Sequence, residues 1–330
     1  MNYIILDLEW NQSPFGKGKE NKRIPFEIVE IGAVMLDENR RILSEFHQYI
    51  SPVVYRELHH ITRDIIKLTM EELDCGLSFV AAADKFFKWC ESVDGEYVFG
   101  TWGSMDLMEL QRNCSFFNVR HKFGKPLIYY DIQKLYSICY SDGKTRAALE
   151  TAVDEMNLSK KVSFHSAYND AIYTAEIFEK MDFDKVKVFT SVDTYQIPLN
   201  RKEEITINYG TYSKYISRGF KERDDVMKDG NVLSTTCNIC GKNARKKIRW
   251  FSSNQKMYYC LAYCETDGYI KGKIKIKKTD DDLYYVTKII KPADENGAQA
   301  IRQRQQQARI KRREKRHREK ENNALKTKSL

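Results

Sequence analysis

A chain of 330 residues with 42% hydrophobic and 12% aromatic residues has material for two folded domains, which excludes a wholly disordered protein. No stretch reaches the roughly 18 consecutive apolar residues of a membrane span, and the start MNYIILDLEW carries Asp7 and Glu9 where a secretory leader would be basic. The formal net charge of +9 is uneven: residues 1–182 carry −7, residues 183–300 carry +7 and residues 301–330 carry +9, so the back half is expected to meet an anionic partner.

Strand and helix signals alternate through the first 182 residues. Tyr3–Leu8 reads as a buried strand, and Phe26–Leu36 and Ile42–Ile50 as two more, joined by a turn over Asp37–Arg41. Leu77–Cys90 has helical spacing in Phe79, Ala83, Phe86, Phe87 and Cys90. A brief strand, Tyr97–Phe99, precedes a helix over Asp106–Cys114. Another strand, Leu127–Tyr130, runs into Asp131, which is placed to cap the next helix. Thr145–Met156 and Ala167–Met181 are expected to be amphipathic helices. The order implies a mixed sheet with helices on its faces, an α/β class.

Asp7 and Glu9 lie two apart on the first strand, so alternation puts both carboxylates on one face. They repel each other there unless a cation lies between them. Asp106 follows a strand and a glycine turn. His165 and Asp170 stand at the start of the last helix of this region. Strand ends and helix starts of this kind converge in one crevice of an α/β sheet. Several acids and one histidine are what phosphodiester hydrolysis by two divalent ions requires.

The set resembles the DEDDh exonucleases, which include ribonuclease T, oligoribonuclease and the proofreading subunit of bacterial DNA polymerase. The D-x-E motif reads Asp7-Leu8-Glu9, the second-strand phrase reads Glu27-Ile28-Val29-Glu30-Ile31-Gly32-Ala33, and H-x4-D reads His165 to Asp170. The phrases Thr101-Trp102-Gly103-Ser104-Met105-Asp106 and Ile61-Thr62 look most like the exoribonuclease branch related to the trimming of RNA-interference and histone-message 3′ ends. The resemblance implies a ribonuclease H-like fold over residues 1–182. It implies two Mg²⁺ or Mn²⁺ ions held by Asp7, Glu9, Asp106 and Asp170, with His165 as general base. It also implies minor contacts to a 3′ nucleotide from His59, His60 and Ile61. Trp10, next to the D-x-E motif, is a candidate for stacking on a terminal base.

Residues 183–232 read as a connecting segment, punctuated by Pro198, Gly210, Gly219 and Gly230. A cysteine-bearing β module spans 233–291. Its Cys237-x2-Cys240 and Cys260-x3-Cys264 pairs are expected to bind one structural Zn²⁺, and the module resembles a zinc ribbon. A hairpin is expected across Ser252-Ser253-Asn254. In Tyr269–Lys278, Lys271, Lys273, Lys275 and Lys277 share one face, Ile274 and Ile276 the other; the lysines suit phosphate tracking or the guarding of a sheet edge. The tail, 292–330, has no apolar stripe, so a lone helix there would be marginal in water. Cys75, Cys90, Cys114 and Cys139 read as core residues.

Taken together, the sequence predicts a cytoplasmic two-metal-ion 3′→5′ exonuclease that releases nucleoside 5′-monophosphates. The expected substrate is the single-stranded 3′ end of an RNA, engaged alone or in a ribonucleoprotein through the basic tail, and no membrane partner is expected. The same chemistry on single-stranded DNA, and a non-catalytic nucleic-acid-binding adaptor, are the rival readings.

Overall fold

The computed structural model describes residues 1–16, 18–160, 162–254 and 256–328, with side chains described as far as Arg318. The chain divides into two units, Met1–Gln196 and Ile197–Leu330. Among the described residues no helix is long and apolar enough to cross a membrane.

The first unit runs β1 (Asn2–Gln12), β2 (Phe26–Leu36), β3 (Ile42–Tyr49), α1 (His60–Ile66), α2 (Met70–Asp74), α3 (Phe79–Cys90), β4 (Tyr97–Thr101), α4 (Asp106–Phe116), β5 (Leu127–Asp131), α5 (Ile132–Tyr140), α6 (Leu149–Glu155), α7 (Ala167–Lys180), α8 (Phe183–Val186) and β6 (Ser191–Asp193). The sheet order is β3-β2-β1-β4-β5-β6. β1 pairs antiparallel with β2 and parallel with β4, so the sheet is mixed, as the sequence predicts.

Helices cover both faces, and the alternation along β1 assigns side chains to each. Tyr3 and Ile5 point into a core shared with Tyr136, Tyr173 and Phe178 of α5 and α7. Ile4, Leu6 and Leu8 point the other way, into a core with Phe79, Phe86 and Leu110 of α3 and α4. Asp7 and Glu9 continue the Tyr3–Ile5 row, so one strand face passes from apolar to acidic beneath α7. Asp131 caps α5, accepting from the Lys134 N–H at 2.8 Å.

Several expectations need correction. The front unit does not stop at 182: β6 pairs with β5 and adds an edge strand. Cys90 and Cys114 are buried, but Cys75, just past the end of α2, is exposed, and Cys139 is only half-buried against the core that α5 shares with α7.

The second unit contains β7 (Ile205–Asn208), β8 (Ser213–Ile216), α9 (Arg223–Val226), α10 (Gly230–Leu233), β9 (Arg245–Asn254), β10 (Met257–Cys264), β11 (Gly268–Lys278), β12 (Tyr284–Pro292) and α11 (Glu295–Lys328). Its strands form one sheet, β7-β8-β12-β11-β10-β9. Most of the segment expected to be a connector therefore belongs to this unit: β8 pairs with β12, while Val226 and Val232 pack with Ile274, Ile276 and Val286 under one sheet face. Ser252, Ser253 and Asn254, expected as a turn, lie within β9.

The basic tail is not detached either. Ala298, Ile301 and Ala308 of α11 are buried against Phe251 and Leu261 on the opposite sheet face. Docking supplies what a lone helix lacks, since most helical stability in a protein comes from packing one face. The expected alternation of β11 is present, with Ile270, Ile274 and Ile276 buried and Lys273 and Lys275 exposed.

Candidate active site

The acids gather where β1 passes under the start of α7. Carboxylate oxygens of Asp7, Glu9 and Asp170 all lie within 4.8 Å of one another. Asp170 sits in the first turn of α7, where its backbone N–H donates to the Ser166 carbonyl at 2.9 Å. One of its oxygens, Oδ2, accepts from the His165 N–H at 3.4 Å. The other, Oδ1, is buried and has no hydrogen-bond partner among the described residues.

Asp106 stands outside this trio. It is the first residue of α4, 6% exposed, and the Leu8 and Asp106 backbone amides help hold its carboxylate. It is nonetheless close enough to Asp7 to be the largest charge acting on that carboxyl. His165 is exposed and adopts φ +66°, a left-handed conformation that histidine tolerates better than most residues.

The electrostatics follow from this crowding. Burial, then the charges of Asp106, Asp170, Glu9 and Glu30, hold the Asp7 carboxyl well above the usual carboxylate range. Glu9 is pushed up to about 8 by burial, then by Glu30, Asp170 and Asp106. Asp106 is pushed up to about 7 and Asp170 to about 6, each chiefly by burial. Carboxyls that cannot all ionise side by side form a site that favours a multivalent cation. The unpartnered oxygen of Asp170 points to the same need.

A fifth carboxylate, Glu30, lies behind the cluster and was not picked out as a site residue by the sequence. It faces Glu9 across the β1–β2 ladder and is 1% exposed. It accepts from Ser166 Oγ at 2.7 Å and the Tyr168 N–H at 3.3 Å, and bonds His47 Nε2 at 2.9 Å. Glu30 therefore ties β2 to the turn that carries His165 and Asp170. Its signal in the sequence was a lone acid inside the apolar run Ile28–Leu36.

The expected nucleotide contacts divide. His59 is 7% exposed, caps α1 by accepting from the Ile61 N–H, and meets Gln12 Nε2 at 3.1 Å. It also lines a cleft of about 380 Å³ with Gln12, Ser13, Pro25 and Phe26, just past the Glu9 end of β1. His60 and Ile61 are exposed and lie outside that lining. Trp10 packs against Phe26 at 5.6 Å and is partly buried in the core beside α3 and α4, which leaves less of its ring for a base.

Of the four cysteines expected to hold zinc, Cys237, Cys240 and Cys264 come together, and the fourth position is filled by Asp267. Cys260 is elsewhere. It lies four residues before Cys264 on β10, roughly 13 Å along an extended strand, and so cannot share a site with it.

Residues 4–178 match the family model described as RNase T, exonuclease. The probable 3′-5′ exonuclease KapD of Bacillus subtilis (strain 168) is 27% identical over 184 residues, covering 55% of this chain and 85% of that protein. ERI1 exoribonuclease 2 of Xenopus laevis is 24% identical over 233 residues, covering 61% of this chain and 32% of that protein. The chain thus matches about a third of the frog relative's length. The solved nuclease domain of 3′hExo, a DEDDh family member, bound to rAMP, aligns at a TM-score of 0.48 with 18% identity, covering 58% of this chain and 96% of that one.

Proposed function

The chain belongs to the RNase T exonuclease family, and on that premise we propose that it is a metal-dependent 3′→5′ exoribonuclease that releases nucleoside 5′-monophosphates. The observation that carries the reading is the convergence of Asp7, Glu9 and Asp170 within 4.8 Å, beside the buried Asp106 and the exposed His165.

The family normally uses divalent metal ions, and the donor set here fits them. All the candidate donors are carboxylate oxygens, which suit hard Mg²⁺ or Mn²⁺, and Asp170 Oδ1 lacks any partner among the described residues. Asp7, Glu9 and Asp170 would hold one ion, and Asp106 together with Asp7 a second. Bound there, the ions supply charge stabilisation for in-line displacement at phosphorus and acidify the attacking water.

The chain's own groups do the rest. His165, on the solvent side of the acids, accepts the proton of the attacking water as general base. Glu30 holds the turn bearing His165 and Asp170 against β2, so base and ligand move together. The cleft past Glu9, with His59 on its wall, suits the terminal nucleotide.

The choice of RNA follows the exoribonuclease relative, and the second unit supports a single-stranded substrate. Its β11 is paired on both sides, with β10 and with β12, so protection of a sheet edge does not account for the lysine row. Lys271, Lys273, Lys291 and Arg304 line a cleft of about 320 Å³ beside Tyr259. The Arg304 guanidinium lies 4.3 Å from the Tyr259 ring centroid. Cations next to an aromatic ring suit a single-stranded backbone with a stacked base.

Digestion of matched 3′-labelled RNA, single-stranded DNA and duplexes tests the whole reading. Faster stepwise shortening of RNA with Mg²⁺ or Mn²⁺ is expected. Faster degradation of DNA would reassign the substrate, and no shortening of any substrate would leave a nucleic-acid-binding adaptor.

A further inference from the structure

We infer that the second unit holds one tetrahedral Zn²⁺ on Cys237, Cys240, Cys264 and Asp267, a three-thiolate, one-carboxylate site built from two matching turns. The site belongs wholly to the second unit and does not depend on the exonuclease reading.

The match between the turns is visible in the residues. The first reads Cys237-Asn238-Ile239-Cys240-Gly241 and the second Cys264-Glu265-Thr266-Asp267-Gly268. Each is ligand-x2-ligand followed by glycine, and both glycines take the left-handed conformation, at φ +73° and +79°. That conformation lets the chain reverse directly after the second ligand, which is why glycine is needed there. In the first turn the Gly241 N–H donates to the Cys237 carbonyl at 3.0 Å. The Lys242 N–H points at the Cys240 sulfur, and the Thr266 and Asp267 N–H groups point at the Cys264 sulfur.

The spacing of the donors fits the ion. Cys240 Sγ lies 3.4 Å from Cys264 Sγ. Asp267 Oδ2 lies 3.3 Å from Cys237 Sγ and 3.4 Å from Cys264 Sγ. All four donors fall within 4.8 Å of one another. Zinc bonds of about 2.3 Å to sulfur and 2.0–2.2 Å to oxygen give a tetrahedron with edges of roughly 3.5–3.8 Å. The observed edges are close to these, and small outward shifts would centre the ion. Soft thiolates select zinc over the hard ions that suit the nuclease acids.

The site is braced before any metal arrives. Asn238 Nδ2 donates to the Gly210 carbonyl at 2.8 Å, and Asn208 Nδ2 donates to the Asn238 carbonyl, fixing the first turn to the β7–β8 turn. Thr235 and Ala244 close a short ladder around it, through Thr235 Oγ1 to the Ala244 carbonyl at 2.8 Å and the Ala244 N–H to the Thr235 carbonyl at 3.0 Å. The ion would join this assembly to the β10–β11 turn, two parts of the unit separated by a strand.

Cys260 is excluded by packing as well as by distance. A β-carbon added to Gly272 would lie 2.6 Å from Cys260 Sγ and 2.5 Å from the Trp250 ring, so this sulfur fills a niche under the indole. It is a core group, and its nearness in sequence to Cys264 is a by-product of sharing a strand.

Elemental analysis of the full chain, purified without chelator, tests the site. About one zinc per chain is expected, retained in Cys260→Ala and lost in the double variant Cys237→Ser, Cys240→Ser. Asp267→Ala should release zinc to a chelator at least tenfold faster than the parent. Cobalt exchange provides a second, spectroscopic readout of the ligand set. Its thiolate charge-transfer absorption should rise by about a third in Asp267→Cys, from three thiolates to four. A folded parent chain without zinc would overturn the site, as would a Cys240–Cys264 disulfide in the freshly purified protein. Loss of zinc from a folded Cys260→Ala variant would overturn the ligand set.

Discussion

A β-carbon on Gly32 would stand 2.2 Å from the carbonyl carbon of Ala167, so the first turn of α7 rests directly on the backbone of β2. Gly32 is also the residue that faces Asp7 across the β1–β2 ladder. One missing side chain therefore sets how closely the helix carrying Asp170 approaches the strand carrying Asp7. The Gly32→Ala variant is expected to push α7 away. We expect a loss of about 1–3 kcal/mol in denaturant unfolding, typical of overpacking, and a fall in kcat of tenfold or more. Parent-like values for both would mean that α7 is not held by this contact.

Loss of the base and loss of a ligand should look different. His165 is exposed and sits at φ +66°, so His165→Asn, which suits that conformation, should leave the melting temperature close to the parent's while lowering kcat by roughly 10²–10⁴-fold. Asp7→Asn should abolish turnover and also remove the stabilisation that Mg²⁺ or Mn²⁺ gives to the fold, measured by thermal melts at graded ion concentration. Turnover persisting in Asp7→Asn would displace the site assignment.

The raised carboxyls make a signed prediction about pH. Glu9, Asp106 and Asp170 titrate near 8, 7 and 6 in the metal-free fold, against roughly 4 in an unfolded chain. The folded chain then holds protons that the unfolded chain has already released. Their contribution to stability is complete below about pH 4 and is lost as the pH climbs to about 8. Without added Mg²⁺ or Mn²⁺, the melting temperature should fall over that window, and the ion's stabilising effect should grow over it. Calorimetry in buffers of different ionisation enthalpy should detect proton release on Mg²⁺ binding at pH 7. A flat response would mean that the acids are already ionised.

Salt dependence separates phosphate contacts from everything else. Each lost phosphate contact on a single strand lowers the slope of log K against log salt by about 0.7, so Lys273→Ala with Lys275→Ala should lower it by about 1.4. Truncation of the tail should begin at Lys311, because Ile301 and Ala308 are part of the core against Phe251. Removing residues 311–330 should flatten the slope further while leaving cleavage of a dinucleotide at the parent rate.

The parts of the fold readable in advance were those whose periodicity is strong over many residues. β2 is buried almost throughout and α3 presents Phe79, Ala83 and Phe86 to one core, so each shows its pattern in the sequence itself. The acids were readable because Asp7 and Glu9 break an apolar run. The domain limits were not: β6 is three residues long and β7 and β8 four each, too short for a period to register, and the pairings β6–β5 and β8–β12 join segments far apart along the chain. The docking of α11 was hidden because its contact residues are mostly alanines, which need little apolar area when the opposing surface is aromatic. Asp267 escaped notice because a carboxylate before a glycine is ordinarily a turn residue. Only its repeat of the Cys240–Gly241 spacing marks it.

Among the described residues strand β9 pairs with β10 alone, which makes it a margin of the second sheet. That margin begins with Arg245, Lys246 and Lys247, all exposed. A second copy pairing the same end of its β9 there would bring three cations against three cations, which disfavours that register. Basic side chains at the start of a sheet margin thus act against joining of copies through it.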